Sequence, residues 1–248
     1  MGAASSNEHR GPSGEVTHGR SAQRALHSIV GQLEEDIVLG FLHPRERLVE
    51  DALIERFQIR RYAVREALAQ LERLGLVERL PNRGAQVRAL TPSEVEDIYA
   101  VRGILETAAA SEVLRRITAD LIDRLSQLQR LHDQATFDGD PRAAFRSNIE
   151  FHRAFFSGCG NGQLVEAIEQ FGQKAHCIRS FSITRQDYLE RSRKEHWVII
   201  QALQDRDEPK LIATCRDHIN VARDAYIESY RRRFSPQRDL SLQPPVDG

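Results

Sequence analysis

Between Ala25 and Leu39 the apolar residues Leu26, Ile29, Val30, Leu33 and Ile37 recur at spacings of three and four, which predicts an amphipathic helix, and Gly40 supplies its stop. A short helix over Glu50–Phe57 and a longer one over Tyr62–Leu74 follow, the second ended by Gly75. The period then changes. Leu76–Leu80 and Ala85–Arg88 are short runs on either side of Pro81-Asn82-Arg83-Gly84, whose turn chemistry predicts a small β-hairpin.

After Thr91-Pro92-Ser93-Glu94, a helix start with Thr91 or Ser93 as cap, no further strand signal occurs. Helices are expected at about 93–115, 118–136, 141–157, 162–182, 186–205 and 208–232, punctuated by Asp138-Gly139-Asp140-Pro141, by Gly158-Cys159-Gly160-Asn161-Gly162 and by Asp205 to Pro209. Six helices joined by short loops make an antiparallel bundle. The chain therefore reads as mainly α, an N-terminal winged helix-turn-helix followed by an antiparallel six- to seven-helix bundle. The expected organisation is a disordered tail over 1–20, a winged helix-turn-helix domain over 21–90, a helical domain over 91–233 and a second disordered tail over 234–248.

Composition narrows the setting. The 248 residues carry 35 Lys and Arg against 36 Asp and Glu, so the near-neutral total argues against a uniformly basic coat for nucleic acid. No stretch approaches the roughly 18 apolar residues that a membrane span requires. Cys159, Cys177 and Cys215 are widely spaced and form no CxxC pair, which fits neither a disulfide framework nor a thiolate zinc site and favours a reducing, cytoplasmic location. The first twenty residues lack the apolar run of a secretion signal.

Charge is distributed unevenly. From Arg60 to Arg88 seven arginines face only three glutamates. Arg61 and Arg65 lie four apart, on one face at the start of the helix after the turn, where a recognition helix offers side chains to the major groove. The arginine fork can bond guanine O6 and N7 together. Arg83 beside Gly84 at the hairpin tip can approach the backbone or a minor groove. A solvated helix face is the competing reading of such a cluster, and the helix-helix-hairpin order is what tips the balance toward DNA.

The segment Gly40-Phe-Leu-His-Pro-Arg-Glu-Arg-Leu48, then Leu53 to Leu68, Leu71 to Glu78 and Pro81-Asn-Arg-Gly-Ala85 resembles the winged-helix domain of GntR-superfamily transcription regulators. The resemblance implies that Arg61 and Arg65 read guanines and that Arg83 and Gly84 form the wing tip. Arg60-Arg61-Tyr62-Ala63 stands where that family usually has Ser-Arg-Thr-Pro, which adds Arg60 and Tyr62 to the candidate DNA contacts. Arg45 replaces a common glycine after Pro44.

Polar residues interrupt the apolar stripes of the bundle. Asn148 and His152 share a face with Phe145 and Phe155; His196 lies in line with Leu189, Ile199, Ile200 and Leu203; His218 lies in line with Leu211, Val221, Ala222 and Ala225. A single histidine in such a place is usually a satisfied core residue. Three of them with an amide, from three helices, point instead to one shared divalent cation, with Zn²⁺ first and Ni²⁺, Fe²⁺ or Mn²⁺ as alternatives. Arg102, in line with Val95, Ile98 and Leu105, needs an anion, either Glu106 one turn on or a bound carboxylate. His176 is a further candidate polar group of a pocket, with a core or surface role as its alternative.

This half resembles the effector domain of the FadR-like branch of the GntR superfamily, the type called FCD, in Glu94 to Ala109, Asn148 to Phe155, Gly160-Asn161, Glu195-His196 and Asp217-His218-Ile219. In that family three histidines, and an acidic residue four before the first, hold a metal beside the effector. His152, His196 and His218 match the histidines, while Asn148 stands where an aspartate is common. The expectation is a cytoplasmic homodimer bound to palindromic operator DNA, a repressor in the commoner family outcome, controlled by a small organic acid that contacts Arg102, His176 and the metal. A metal-dependent enzyme and a DNA binder with a purely structural dimerisation bundle are the rival readings.

Overall fold

The computed structural model describes residues 13–80, 84–179 and 185–234, with side chains from 23 to 232. The element order is α1 (Ser13–Val38), β1 (Arg47–Leu48), α2 (Glu50–Phe57), α3 (Arg61–Arg73), β2 (Val77–Leu80), β3 (Gly84–Val87), then α4 (Pro92–Arg115), α5 (Ala119–Phe137), α6 (Pro141–Ser157), α7 (Gly162–Lys174), α8 (His176–Arg179), α9 (Gln186–Asp205) and α10 (Glu208–Phe234).

The first helix begins at Ser13, not at Ala25, so the tail expected over 1–20 gives way to helix from its thirteenth residue. Extending an existing helix adds one backbone hydrogen bond per residue fixed, and no proline lies between Ser13 and Val38 to stop it. The rest of that tail, residues 1–12, and the C-terminal stretch from 235 lie outside the described residues.

The winged-helix part is built as the periodicity predicts, with one addition. Strands β2 and β3 pair antiparallel from Val77 opposite Val87 to Leu80 opposite Gly84, and the two-residue β1 adds to the far edge of β3, giving the order β1-β3-β2. Two residues are too few to show an alternating pattern, which is why β1 carried no signal. Gly84 at the start of β3 has φ +81°, and a Cβ there would lie 3.3 Å from the carbonyl oxygen of Leu48, so the β1–β3 edge closes on a residue without one.

The bundle helices start where their caps stand. Thr91 and Glu94 form a reciprocal capping box at α4, and Thr118, Asp140 and Asn161 cap α5, α6 and α7 through their side chains. The single helix expected over 162–182 is instead two, α7 and α8, separated at Ala175, with residues 180–182 outside the described part. The backbone N–H of Ala175 donates to the carbonyls of both Phe171 and Gly172, a tightened last turn. The break turns Cys177 and Ile178 into the core of the winged helix.

That core is shared. Leu33 and Ile37 of α1, Val64, Leu68 and Leu71 of α3, and Leu76 and Val87 of the hairpin pack in one cluster with Ala175, Cys177 and Ile178 and with Ile219, Ala222 and Tyr226 of α10. The Tyr226 hydroxyl donates to the Leu90 carbonyl at 2.8 Å. A second core, centred on Phe151, Phe155, Leu125, Ile199 and Leu203, fills the far end of the bundle. All three cysteines are buried thiols.

Candidate functional site

Gln58, with φ 53°, closes α2 and turns the chain into α3, whose first residue is Arg61. The N-terminus of α3 therefore presents Arg60, Arg61, Tyr62 and Arg65 to solvent, Tyr62 being 78% exposed, as an apolar ring without a core function must be if it serves a partner. The α3 arginines meet the two acids that begin α2. Arg61 donates from Nη1 to Glu50 at 3.1 Å and from Nη2 to Asp51 at 2.5 Å, and Arg65 donates from Nε to both oxygens of Glu50 at 3.1 Å. Arg65 is thereby held through Nε while its two terminal amino groups keep the geometry that a guanine edge requires. Arg83 lies outside the described residues; Gly84, its neighbour, sits at the hairpin end beside Leu48.

The three candidate metal-binding histidines converge. From α6, α9 and α10, His152, His196 and His218 bring one ring nitrogen each within 4.8 Å of one another, and the Nε2 atoms of His152 and His218 are 3.2 Å apart. Asn148 lies one helical turn before His152 on α6, half-buried. Two of the rings are braced from behind or beside. His218 donates from Nδ1 to Glu195 at 2.8 Å, His196 donates from Nδ1 to Gln129 Oε1 at 2.6 Å, and the Phe151 ring stacks on His196 with centroids 4.1 Å apart. Burial first, and then the neighbouring imidazoles and arginines, hold His152 and His196 well below the ordinary histidine range, so both are neutral and keep a lone pair to donate. Nε2 of His196 is buried and has no hydrogen-bond partner among the described residues. Ring nitrogens converging from three helices, one of them an orphaned buried lone pair, fit a divalent cation.

Gln129 and His132 escaped the sequence reading. Both lie on α5, four residues after the buried Leu125 and Leu128 respectively, so the rule that singled out His152 also applies to them. His132 donates from Nδ1 to the Ala144 carbonyl at 3.0 Å and its ring centroid lies 5.4 Å from that of His196.

A cavity of about 240 Å³ opens beside the histidines. His152 forms one wall; Arg102, Glu106, His176 and Arg179 form another; Phe145, Ile149, Phe156 and Ile168 supply the apolar lining. This is roughly the share of eight liquid waters, and smaller than the pockets that hold drug-sized ligands. Arg102 and Glu106 are both buried and joined at 2.8 Å, so the intrahelical partner is the one the fold supplies, on the cavity surface. Arg179 had no periodic signal, because α8 is a single turn.

The third wall comes from the winged helix. Gly31, Glu34 and Glu35 of α1 line the same cavity. His176, which burial keeps below its ordinary pKa against the opposing pull of Glu34, donates from Nδ1 to Glu34 at 2.7 Å. Glu35 receives Arg142 at 3.0 Å and Arg146 at 2.6 Å, and the buried Asp36 bridges Arg142 of α6 and Arg56 of α2.

The bacterial regulatory protein gntR family matches residues 26–87, and the FCD domain matches residues 97–221. The chain is 25% identical over 198 residues to the HTH-type transcriptional repressor GlaR of Escherichia coli, covering 75% of this chain and 89% of that protein. It is 24% identical over 234 residues to the Uxu operon transcriptional regulator of the same organism, covering 84% and 89%. In fold it is similar to E. coli McbR/YncC, with a TM-score of 0.68 and 20% identity, over 85% of this chain and 98% of that one. By name GlaR is a transcriptional repressor and the Uxu protein a transcriptional regulator. With both halves matched in order, the chain belongs to the GntR family of DNA-binding transcriptional regulators, in the group that carries an FCD domain.

Proposed function

We propose that the protein is a cytoplasmic repressor that binds a palindromic operator as a homodimer and answers to a small organic acid. The observation that carries the reading is the composition of the cavity wall: His152 and Arg102 from the bundle line the same cavity as Glu34 and Glu35 from the first helix of the winged-helix part. A carboxylate that enters meets cationic Arg102 and, at the His176–Glu34 pair, an imidazole N–H that a carboxylate of α1 already holds. It competes with Glu34 for His176 and repels Glu34 and Glu35 across a small, partly dehydrated space.

His152, His196 and His218, with Asn148 as a candidate oxygen donor, would hold a divalent metal ion, Zn²⁺ first and Ni²⁺, Fe²⁺ or Mn²⁺ as alternatives, and that ion would supply positive charge for the acid. Arg102, fixed by Glu106, orients the anion; Phe145, Ile149 and Phe156 exclude water and limit its size. Loosening α1 from α8 and α6 changes how the two winged helices of a dimer are set, and a two-fold operator accepts only one such setting. The coupling is reciprocal, so operator DNA weakens acid binding by the factor by which the acid weakens DNA binding.

A thermal-shift screen of small mono- and dicarboxylic acids on the zinc-loaded full chain tests this, with operator binding measured alongside. A binder raises the melting temperature and lowers operator affinity. If no acid moves either quantity, the bundle is a dimerisation scaffold and the reading is wrong.

A further inference from the structure

The orientation of the Gln129 amide is dictated from both ends. The residue is fully buried. Its amide nitrogen donates to Asp133 Oδ1 at 2.7 Å and lies 3.4 Å from the Arg193 carbonyl, two groups that can only accept. Asp133 is itself fixed as an acceptor, receiving the Trp197 indole N–H at 2.9 Å on its other oxygen. With its NH₂ committed to Asp133, the amide turns Oε1 toward His196, 2.6 Å from Nδ1. A carbonyl oxygen cannot donate, so the proton of that bond belongs to Nδ1. A neutral imidazole carries one proton, which leaves the lone pair on Nε2, the atom within reach of His152 and His218.

We propose that Gln129 is a positioning residue that relays the orientation imposed by Asp133 to His196, locking its Nδ1–H tautomer so that Nε2 faces the shared centre as a ready donor. The inference rests on the metal reading given under the proposed function. It also bears on the amide at position 148. Two carboxylates, Asp133 through Gln129 and Glu195 directly on His218, stand behind the ligands, so compensating charge comes from the outer side of the site. A face of three imidazole nitrogens with anions behind it favours Zn²⁺, Ni²⁺ or Fe²⁺ over Mg²⁺ and Ca²⁺.

The test uses the full chain stripped with a chelator. Nitrogen-15 NMR of the histidine rings reports the His196 tautomer without metal, and competition with a chromophoric chelator reports Zn²⁺ affinity. The wild type should show His196 as the single Nδ1–H form. Gln129→Met should yield a mixture of tautomers and weaken Zn²⁺ binding by about 10–100-fold. The double variant Gln129→Glu with Asp133→Asn, which keeps an acceptor at position 129 toward His196 and reverses the second bond so that an amide at position 133 donates to position 129, should recover most of that loss. Should Gln129→Met fail to fold, the double variant must still show the single Nδ1–H form, and a mixture of tautomers in it overturns the inference. Gln129→Met with the single Nδ1–H form and wild-type Zn²⁺ affinity overturns the inference and leaves the metal reading standing. A wild type that shows the locked tautomer but takes up no Zn²⁺ supports the positioning role and removes the metal.

Discussion

Arg65 is braced by a carboxylate before any DNA arrives. Its Nε is occupied by Glu50, so its terminal amino groups need no reorganisation to meet a base, whereas Arg61 uses both terminal nitrogens on Glu50 and Asp51 and must exchange them. Replacing Arg65 by Ala should therefore cost about 1–3 kcal/mol of operator binding, with little loss on random DNA, while the melting temperature stays unchanged. Equal loss on both DNAs, measured by fluorescence anisotropy, would assign Arg65 to the phosphates. At the other site, elemental analysis of the double variant His152→Ala with His196→Ala should find no stoichiometric metal, since only one of the three converging nitrogens remains. Stoichiometric metal in that variant would mean that the centre lies elsewhere.

At the scale of elements, the joint between wing and bundle is the N-terminus of α4, where Thr91 and Glu94 satisfy each other's backbone N–H groups and Glu94 also takes Arg88 from the end of the hairpin. Thr91→Ala should lower stability by about 1 kcal/mol, read as a drop in thermal midpoint, because the backbone N–H of Glu94 loses its side-chain acceptor. The capping residues and the three-and-four spacing made nearly all of these elements legible in the sequence, α4 to within a residue. The exceptions have physical causes. β1 is too short to alternate, and α8 exists because packing Cys177 and Ile178 into the shared core outweighs continuation of α7, which is tertiary information that no local pattern holds. The same distinction runs through the site. His152, His196 and His218 declared themselves as polar interruptions of apolar stripes, but that Glu34 reaches His176 from 142 residues away is a fact of packing alone.

Taken whole, the molecule buries imidazoles in their neutral form. His132, His152, His176 and His196 are all held below the ordinary value of 6.5, burial being the largest cause in each case. Unfolding returns them to that value, so below it the unfolded chain binds protons that the folded chain refuses, and stability rises with pH through this window and is lost as pH falls. The metal-stripped protein should hold a nearly constant melting temperature above about pH 7.5 and lose it steadily between about pH 6.5 and 5. A flat profile down to pH 5 would contradict neutral burial. The acids of α1 make a second prediction at this scale. Asp36→Ala removes the bridge between Arg56 and Arg142, and amide exchange in α1 should quicken relative to the far end of the bundle, where Phe151 and Phe155 hold the second core.

The core that α1, α3 and the hairpin share with α8 and α10 limits how this protein can be taken apart. A winged helix excised after Leu90 would carry into water the apolar face that now rests on Ile178, Ala222 and Tyr226, and it would cluster with its own kind. Recombination that transplants the DNA reader onto a foreign sensor must bring those partner surfaces with it. Reader and sensor are in this sense a single fitted piece.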